Sequence, residues 1–195
     1  ILLLIYILLS VLNKSISNEY FTINNNEKND EKNDEKMCIF RILGNNLNSV
    51  HSDTQTYDNL KFTLENEAEF ENCDKIWILN RIVDKNLELK YKQLLDTHNK
   101  KYLSIPFIKS DYKKINNNKN IDLKTLKEKN EIFINLYQHS LYLININGAR
   151  NFCLEYGRPR YLYSFVFDGS CFFTENQFNE IINKIDIENE YLIIP

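Results

Sequence analysis

Asn147-Gly148-Ala149-Arg150-Asn151-Phe152-Cys153-Leu154-Glu155-Tyr156-Gly157 leads through Arg158-Pro159-Arg160 into Tyr161-Leu162-Tyr163-Ser164-Phe165-Val166-Phe167-Asp168-Gly169-Ser170. The first part predicts a helix from Gly148 to Tyr156, stopped by Gly157-Arg158-Pro159, because glycine and proline end helices from their carboxyl side. Tyr161 to Phe167 is apolar or aromatic at every position but Ser164, the pattern of a buried strand. Asp168 therefore falls at the carboxyl end of a strand. In open α/β sheets the ligand crevice lies outside those ends, which makes Asp168 a candidate site residue. The Asp-Gly pair also suits a plain tight turn. The arginine-bearing helix just ahead of it is what favours a site.

Upstream, the same grammar repeats. Cys38-Ile39-Phe40-Arg41-Ile42-Leu43 is an apolar run stopped by Gly44-Asn45-Asn46, a first strand with its exit loop. Thr56 is placed to cap a helix carrying Leu60, Phe62, Leu64 and Phe70. Lys75 to Leu79 reads as a second strand, and its exit is Asn80-Arg81-Ile82-Val83-Asp84. Leu87, Tyr91, Leu94 and Leu95 recur at helical spacing, and Tyr102 to Ile105 is a third strand before Pro106. Ile132 to Ile146 is strongly apolar, and periodicity alone does not separate helix from strand there. Thr174 caps a helix with Phe178, Ile181, Ile182 and Ile185 on one face, and Tyr191 to Ile194 opens a fifth strand. Strands alternating with helices predict an α/β fold, a mostly parallel Rossmann-like sheet flanked by helices.

The 195 residues divide into three parts on composition. Residues 1–17 hold the apolar run Ile1 to Leu12, shorter than the roughly 20 residues that span a bilayer. It reads as the remnant of a signal anchor or as the core of a signal peptide, either of which places the protein in the secretory pathway, in the ER or Golgi, as a single-pass or secreted protein. Residues 18–36 repeat Glu27-Lys28-Asn29-Asp30 as Glu31-Lys32-Asn33-Asp34, a polar stem expected to be disordered. Residues 37–195 form the globular domain, with a lysine- and asparagine-rich insertion at 109–130 expected to be solvated surface.

A net charge of −3 gives no electrostatic reason to expect a nucleic-acid partner. Cys38, Cys73, Cys153 and Cys171 show no C-x-x-C spacing, and three of them lie in apolar runs where cysteine acts as a small hydrophobe. His51, His98 and His139 offer no metal or triad spacing. No Gly-x-Ser-x-Gly, Walker or His-Glu-x-x-His sequence occurs, so serine hydrolase, nucleotide hydrolase and zinc protease chemistry find no support.

An Ala149-Arg150-Asn151 helix followed by a strand closing in Asp168 resembles the nucleotide-sugar half of GT-A-fold glycosyltransferases, those like family 2 in particular. The resemblance covers roughly Cys38 to Pro195. It implies a GT-A-like nucleotide-sugar-binding domain, the N-terminal half of that fold, with a nucleotide-diphospho sugar as donor and a glycan or protein as acceptor. Arg150 and Asn151 match the helix motif, and Asp168 matches the first acid of an Asp-x-Asp pair. Such a pair holds the ribose and a divalent cation, Mn or Mg, that bridges the diphosphate. Ser170 stands where the second acid is expected, which leaves Asp168 as the one carboxylate of a doubtful metal set. Arg41, Arg81 and Arg150, with loop amides near Gly44, are the candidate diphosphate ligands, because a planar guanidinium makes paired bonds to phosphate oxygens. Strand alternation could equally point Arg41 at solvent, and Arg150 could be a structural ion-pair residue. The acceptor pocket and catalytic base of such enzymes lie beyond the matched segment. The chain is thus expected to be the donor half of a membrane-tethered transferase, or a non-catalytic interaction or sugar-binding module that retains the fold.

Overall fold

A computed structural model describes residues 33–46, 52, 54–115 and 126–185. Among the described residues four parallel strands form one sheet: β1 (Asn33–Leu43), β2 (Cys73–Asn80), β3 (Lys101–Ile105) and β4 (Tyr161–Asp168). Their order is β3-β2-β1-β4. The chain builds outward from β1 through β2 to β3, then returns to β1's other side with β4. The fold is therefore an α/β Rossmann-like sheet, and its topological switch point lies between the carboxyl ends of β1 and β4. Register brings Ile42 opposite Asp168 on one side, while Leu43 faces Leu79 on the other.

Helices cover both faces, as a parallel sheet requires. The helices among the described residues are α1 (Gln55–Asn66), α2 (Lys85–Thr97), α3 (Lys109–Lys114), α4 (Leu126–Ile144), α5 (Ile146–Gly157) and α6 (Glu175–Asn183), of which α1, α2, α5 and α6 supply the covering cores. On one face Phe40, Ile42, Ile76 and Ile78 pack against Phe152, Cys153 and Tyr156 of α5. On the other, Leu43, Trp77 and Leu79 meet Leu60 of α1 and Tyr91 and Leu95 of α2, while Ile39 and Phe165 meet Phe178 of α6. Strand period two explains this division: successive residues of β1 alternate between the two cores.

Several boundaries differ from the sequence expectations. β1 begins at Asn33, so the last four residues of the expected stem belong to the strand, and Lys36 pairs with Asp74 at 2.9 Å. The first helix starts at Gln55 with Thr54 as N-cap, and Phe62 is exposed on it rather than buried. Phe70 lies beyond the helix, stacked on Phe178. The ambiguous run from Ile132 is helical, and within 109–130 the short helix α3 and the start of α4 are ordered elements. Thr174 caps α6 as expected, in a capping box with Gln177. All four cysteines are free thiols, three of them buried, and burial pushes those of Cys73 and Cys153 up to about 12. The N-terminal apolar run, most of the polar stem, His51 and the fifth strand at Tyr191 lie outside the described residues. Among the described residues no helix is long and apolar enough to cross a membrane.

Candidate functional site

The carboxyl edge of the sheet is built by three strand exits and the α4–α5 junction. At β1, Asn45 reaches sideways: its Nδ2 donates to the Arg81 carbonyl at 2.9 Å, and its Oδ1 accepts from the Val83 N–H at 2.8 Å. One amide side chain thereby fixes the β1 exit to the β2 exit. Arg81 itself has φ 48°, in the left-handed region that costs a non-glycine residue steric energy. Its N–H donates to the Ile105 carbonyl at 2.8 Å, which ties the β2 and β3 exits together and holds the strained turn.

The end of β2 is polar for a reason the sequence alone does not give. Asn80 is 1% exposed, donates to the Ile144 carbonyl at 2.8 Å and accepts from Asn145 Nδ2 at 3.0 Å. Asn145 adopts φ 43°, a conformation asparagine tolerates, and it breaks what would otherwise be one long helix into α4 and α5. A side chain at Gly148 would collide with Asn145, so glycine at that position leaves room for the Asn80–Asn145 bond. The kink sets the direction of α5 and with it the position of Arg150.

Of the sequence-derived candidates, the fold brings Arg150 and Asp168 together: Arg150 Nη2 stands 3.7 Å from Asp168 Oδ1, with side chains 46% and 57% exposed. Asn151 is exposed on α5 beside Arg150, and Ser170 is exposed two residues past Asp168. Both acid and guanidinium are open to a ligand at the switch point. Gly169 follows Asp168 where a Cβ would lie 2.6 Å from Leu43 Cδ2 and 2.8 Å from the Ile42 carbonyl, so the β4 exit runs closely over the end of β1.

Arg41 is not part of this site. It is fully buried on the face of the sheet opposite α5, between the two clusters of that core. Its Nη2 pairs with Glu67, its Nε donates to the Cys171 carbonyl at 3.0 Å, and its guanidinium lies 5.8 Å from the Trp77 ring centre. Glu67 Oε2 also meets Lys75 Nζ at 3.0 Å, and Glu67 Oε1 accepts from the Phe173 N–H at 3.0 Å. Burial holds the Arg41 guanidinium below its ordinary range, opposed by the Glu67 charge. The expectation that Arg41 faces a diphosphate fails because the β4–α6 loop and α1 close over it.

Arg81 is a partial case. Its Nη1 donates to the Tyr142 carbonyl at 2.7 Å and its guanidinium lies 3.9 Å from the Tyr142 ring centre. Burial lowers its pKa from the usual arginine value, with Tyr142 and Asp111 opposing. It is half-buried at the β2 exit, two strands over from Asp168 and three residues beyond Ile78, the β2 position level with that acid, so more than about 10 Å from it. Sequence reading missed Asn45, Asn80, Asn145 and Glu67. The available signal was polarity out of place, an asparagine closing an apolar strand and another three residues before Gly148.

A protein-held metal shell does not fit these residues. Asp168 supplies a single carboxylate, Ser170 a neutral hydroxyl, and Arg150 places a competing cation beside the acid. Among the described residues no group of three His, Cys, Asp or Glu side chains is placed to hold an ion. Compared with protein-family models, with curated proteins and with solved structures, the chain finds no match.

Proposed function

We propose that this chain is the donor-binding half of a glycosyltransferase-like protein, taking a nucleoside-diphospho sugar at the switch point between β1 and β4. The observation that carries the reading is the approach of Arg150 to Asp168 at that edge, 3.7 Å apart and both exposed. Arg150 would take phosphate oxygens in its fork, and Asp168 would accept a ribose hydroxyl. Asn151 would add an amide donor beside Arg150, and the loop amides after Gly44 would line the β1 side. Arg81, held at the next exit, would contribute field rather than contact.

Isothermal titration of the full chain with uridine and guanosine diphosphates, with and without manganese, tests this. The expected result is binding of at least one diphosphate, weakened tenfold or more in Arg150→Ala. A folded protein that binds neither refutes it. That second outcome is the one expected of a non-catalytic sugar-binding or interaction module, a reading favoured by Ser170 in place of a second acid.

A further inference from the structure

A second surface stands apart from this site. Phe133, Ile134, Leu136, Tyr137, Leu141 and Ile144 of α4 are 43% to 70% exposed. At about 100° per residue they fall on one side of the helix, an arc of roughly 160°. The opposite side is the one that meets the domain: Tyr142 lies against Arg81 and His139 against Tyr112, ring centres 4.6 Å apart. Six large apolar side chains at that exposure leave on the order of 500 Å² of contiguous apolar surface, beyond what scattered surface hydrophobes account for.

Charge indicates what covers it. Between Lys109 and Glu131 the sequence has seven lysines and four acids, a local +3 on a chain whose total is −3, so the remainder carries −6. Part of that basic segment is α3, held against α4 by the Tyr142 hydroxyl, which donates to the Ile108 carbonyl at 3.2 Å and accepts its N–H at 3.3 Å. Lys109, Lys113, Lys114 and Lys129 are exposed there, Lys114 at 3.2 Å from Asp111. A second copy seated on α4 would bring two basic segments to one interface, where like charges oppose association. An anionic lipid surface meets both requirements: its acyl boundary takes the apolar arc, and its negative potential, which reaches about 10 Å from the surface, attracts the basic segment carried on the other side of α4.

We infer that α4 is a membrane-surface helix, lying in the headgroup region of an anionic bilayer with its Phe133–Ile144 stripe inserted. The inference concerns a different face from the donor site and holds whether or not a nucleotide binds.

The test uses the full chain carrying Phe133→Trp, mixed with vesicles of phosphatidylcholine alone or with phosphatidylserine. The one native tryptophan, Trp77, is 1% exposed in the core and supplies a constant background. The expected result is a blue shift of the new tryptophan and its quenching by brominated acyl chains. Affinity should be at least tenfold higher with phosphatidylserine, and should fall in high salt or on adding Lys109→Glu and Lys113→Glu. Vesicle binding without quenching at position 133 would assign attachment to the apolar N-terminal run instead and overturn the inference. So would a blue shift without lipid, whether it accompanies a dimer mass in sedimentation, where a second copy covers the face, or a monomer, where the chain covers itself.

Discussion

Arg41 and Arg150 each meet a carboxylate, one inside the sheet and one at its rim. Arg41 and Glu67 are 0% and 1% exposed as side chains, with Lys75 closing on the same acid; Arg150 and Asp168 are about half exposed and 3.7 Å apart. The inner group is a balance between desolvation and mutual attraction, and it tolerates the loss of no member. The outer pair is screened by water, contributes little to folding, and leaves its charges available to a ligand. Identical side-chain chemistry thus produces a structural brace in one place and a binding candidate in the other. Burial decides which.

The largest effect should follow from removing the acid of the inner group. Glu67→Gln leaves Arg41 and Lys75 as buried cations without a counter-charge and weakens the hold on the Phe173 N–H. Breaking such a group costs about 3–5 kcal/mol. Urea unfolding of the variant should show a midpoint lowered accordingly. A loss under about 1 kcal/mol would mean the group is hydrated and the contrast between the two pairs is false.

Gly169→Ala probes the segment that joins the two regions, since the loop beginning at Asp168 also supplies the Cys171 carbonyl that Arg41 Nε binds. The added methyl meets Leu43 and the Ile42 carbonyl, one of them backbone, so the loop must move. Overpacking of this kind costs about 1–3 kcal/mol. Because the same shift displaces Asp168, stability and diphosphate affinity should fall together. Nucleotide titration alongside urea melts would separate this from a variant that loses one property alone.

How much of this was legible beforehand follows the same division. Apolar runs and their stops placed all four described strands within a few residues, because buried parallel strands are written as continuous hydrophobic stretches. Helical spacing found Tyr91 and Leu95, and Thr174 announced its own cap. The approach of Arg150 to Asp168 was legible because a strand end and a helix start fix positions along the chain. Arg41 was misplaced because strand alternation says which face a residue takes but not what lies over that face. The covering residue is Glu67, 26 positions away at the end of α1. Asn45, Asn80 and Asn145 escaped notice for the same reason: their partners, Arg81, Val83 and Ile144, are set by tertiary geometry. The exposed arc of α4 was hidden too, since an apolar run looks the same whether it is covered or not.

Asp168→Asn and Arg150→Ala should produce the reverse profile of Glu67→Gln. Exposed pairs contribute about 0.2–1 kcal/mol, so unfolding midpoints should barely move. A charge-assisted contact to a ligand is worth about 1.5–3 kcal/mol, so diphosphate affinity should fall roughly ten- to a hundredfold in Arg150→Ala. If either change unfolds the protein, the rim pair is structural and the donor-site reading loses its main support.

The smallest effect is also the sharpest discriminator, because it changes no residue further. Raising salt from about 0.1 M to about 1 M shortens the screening length from about 10 Å to about 3 Å. The coupling between Arg150 and Asp168, measured by a double-mutant cycle, should then shrink toward zero, whereas the penalty of Glu67→Gln should persist, since no ions enter a group with 0% and 1% exposure. The two pairs would answer salt alike only if both were hydrated or both dry. Equal salt sensitivity in the two measurements would therefore remove burial as the explanation for their different roles.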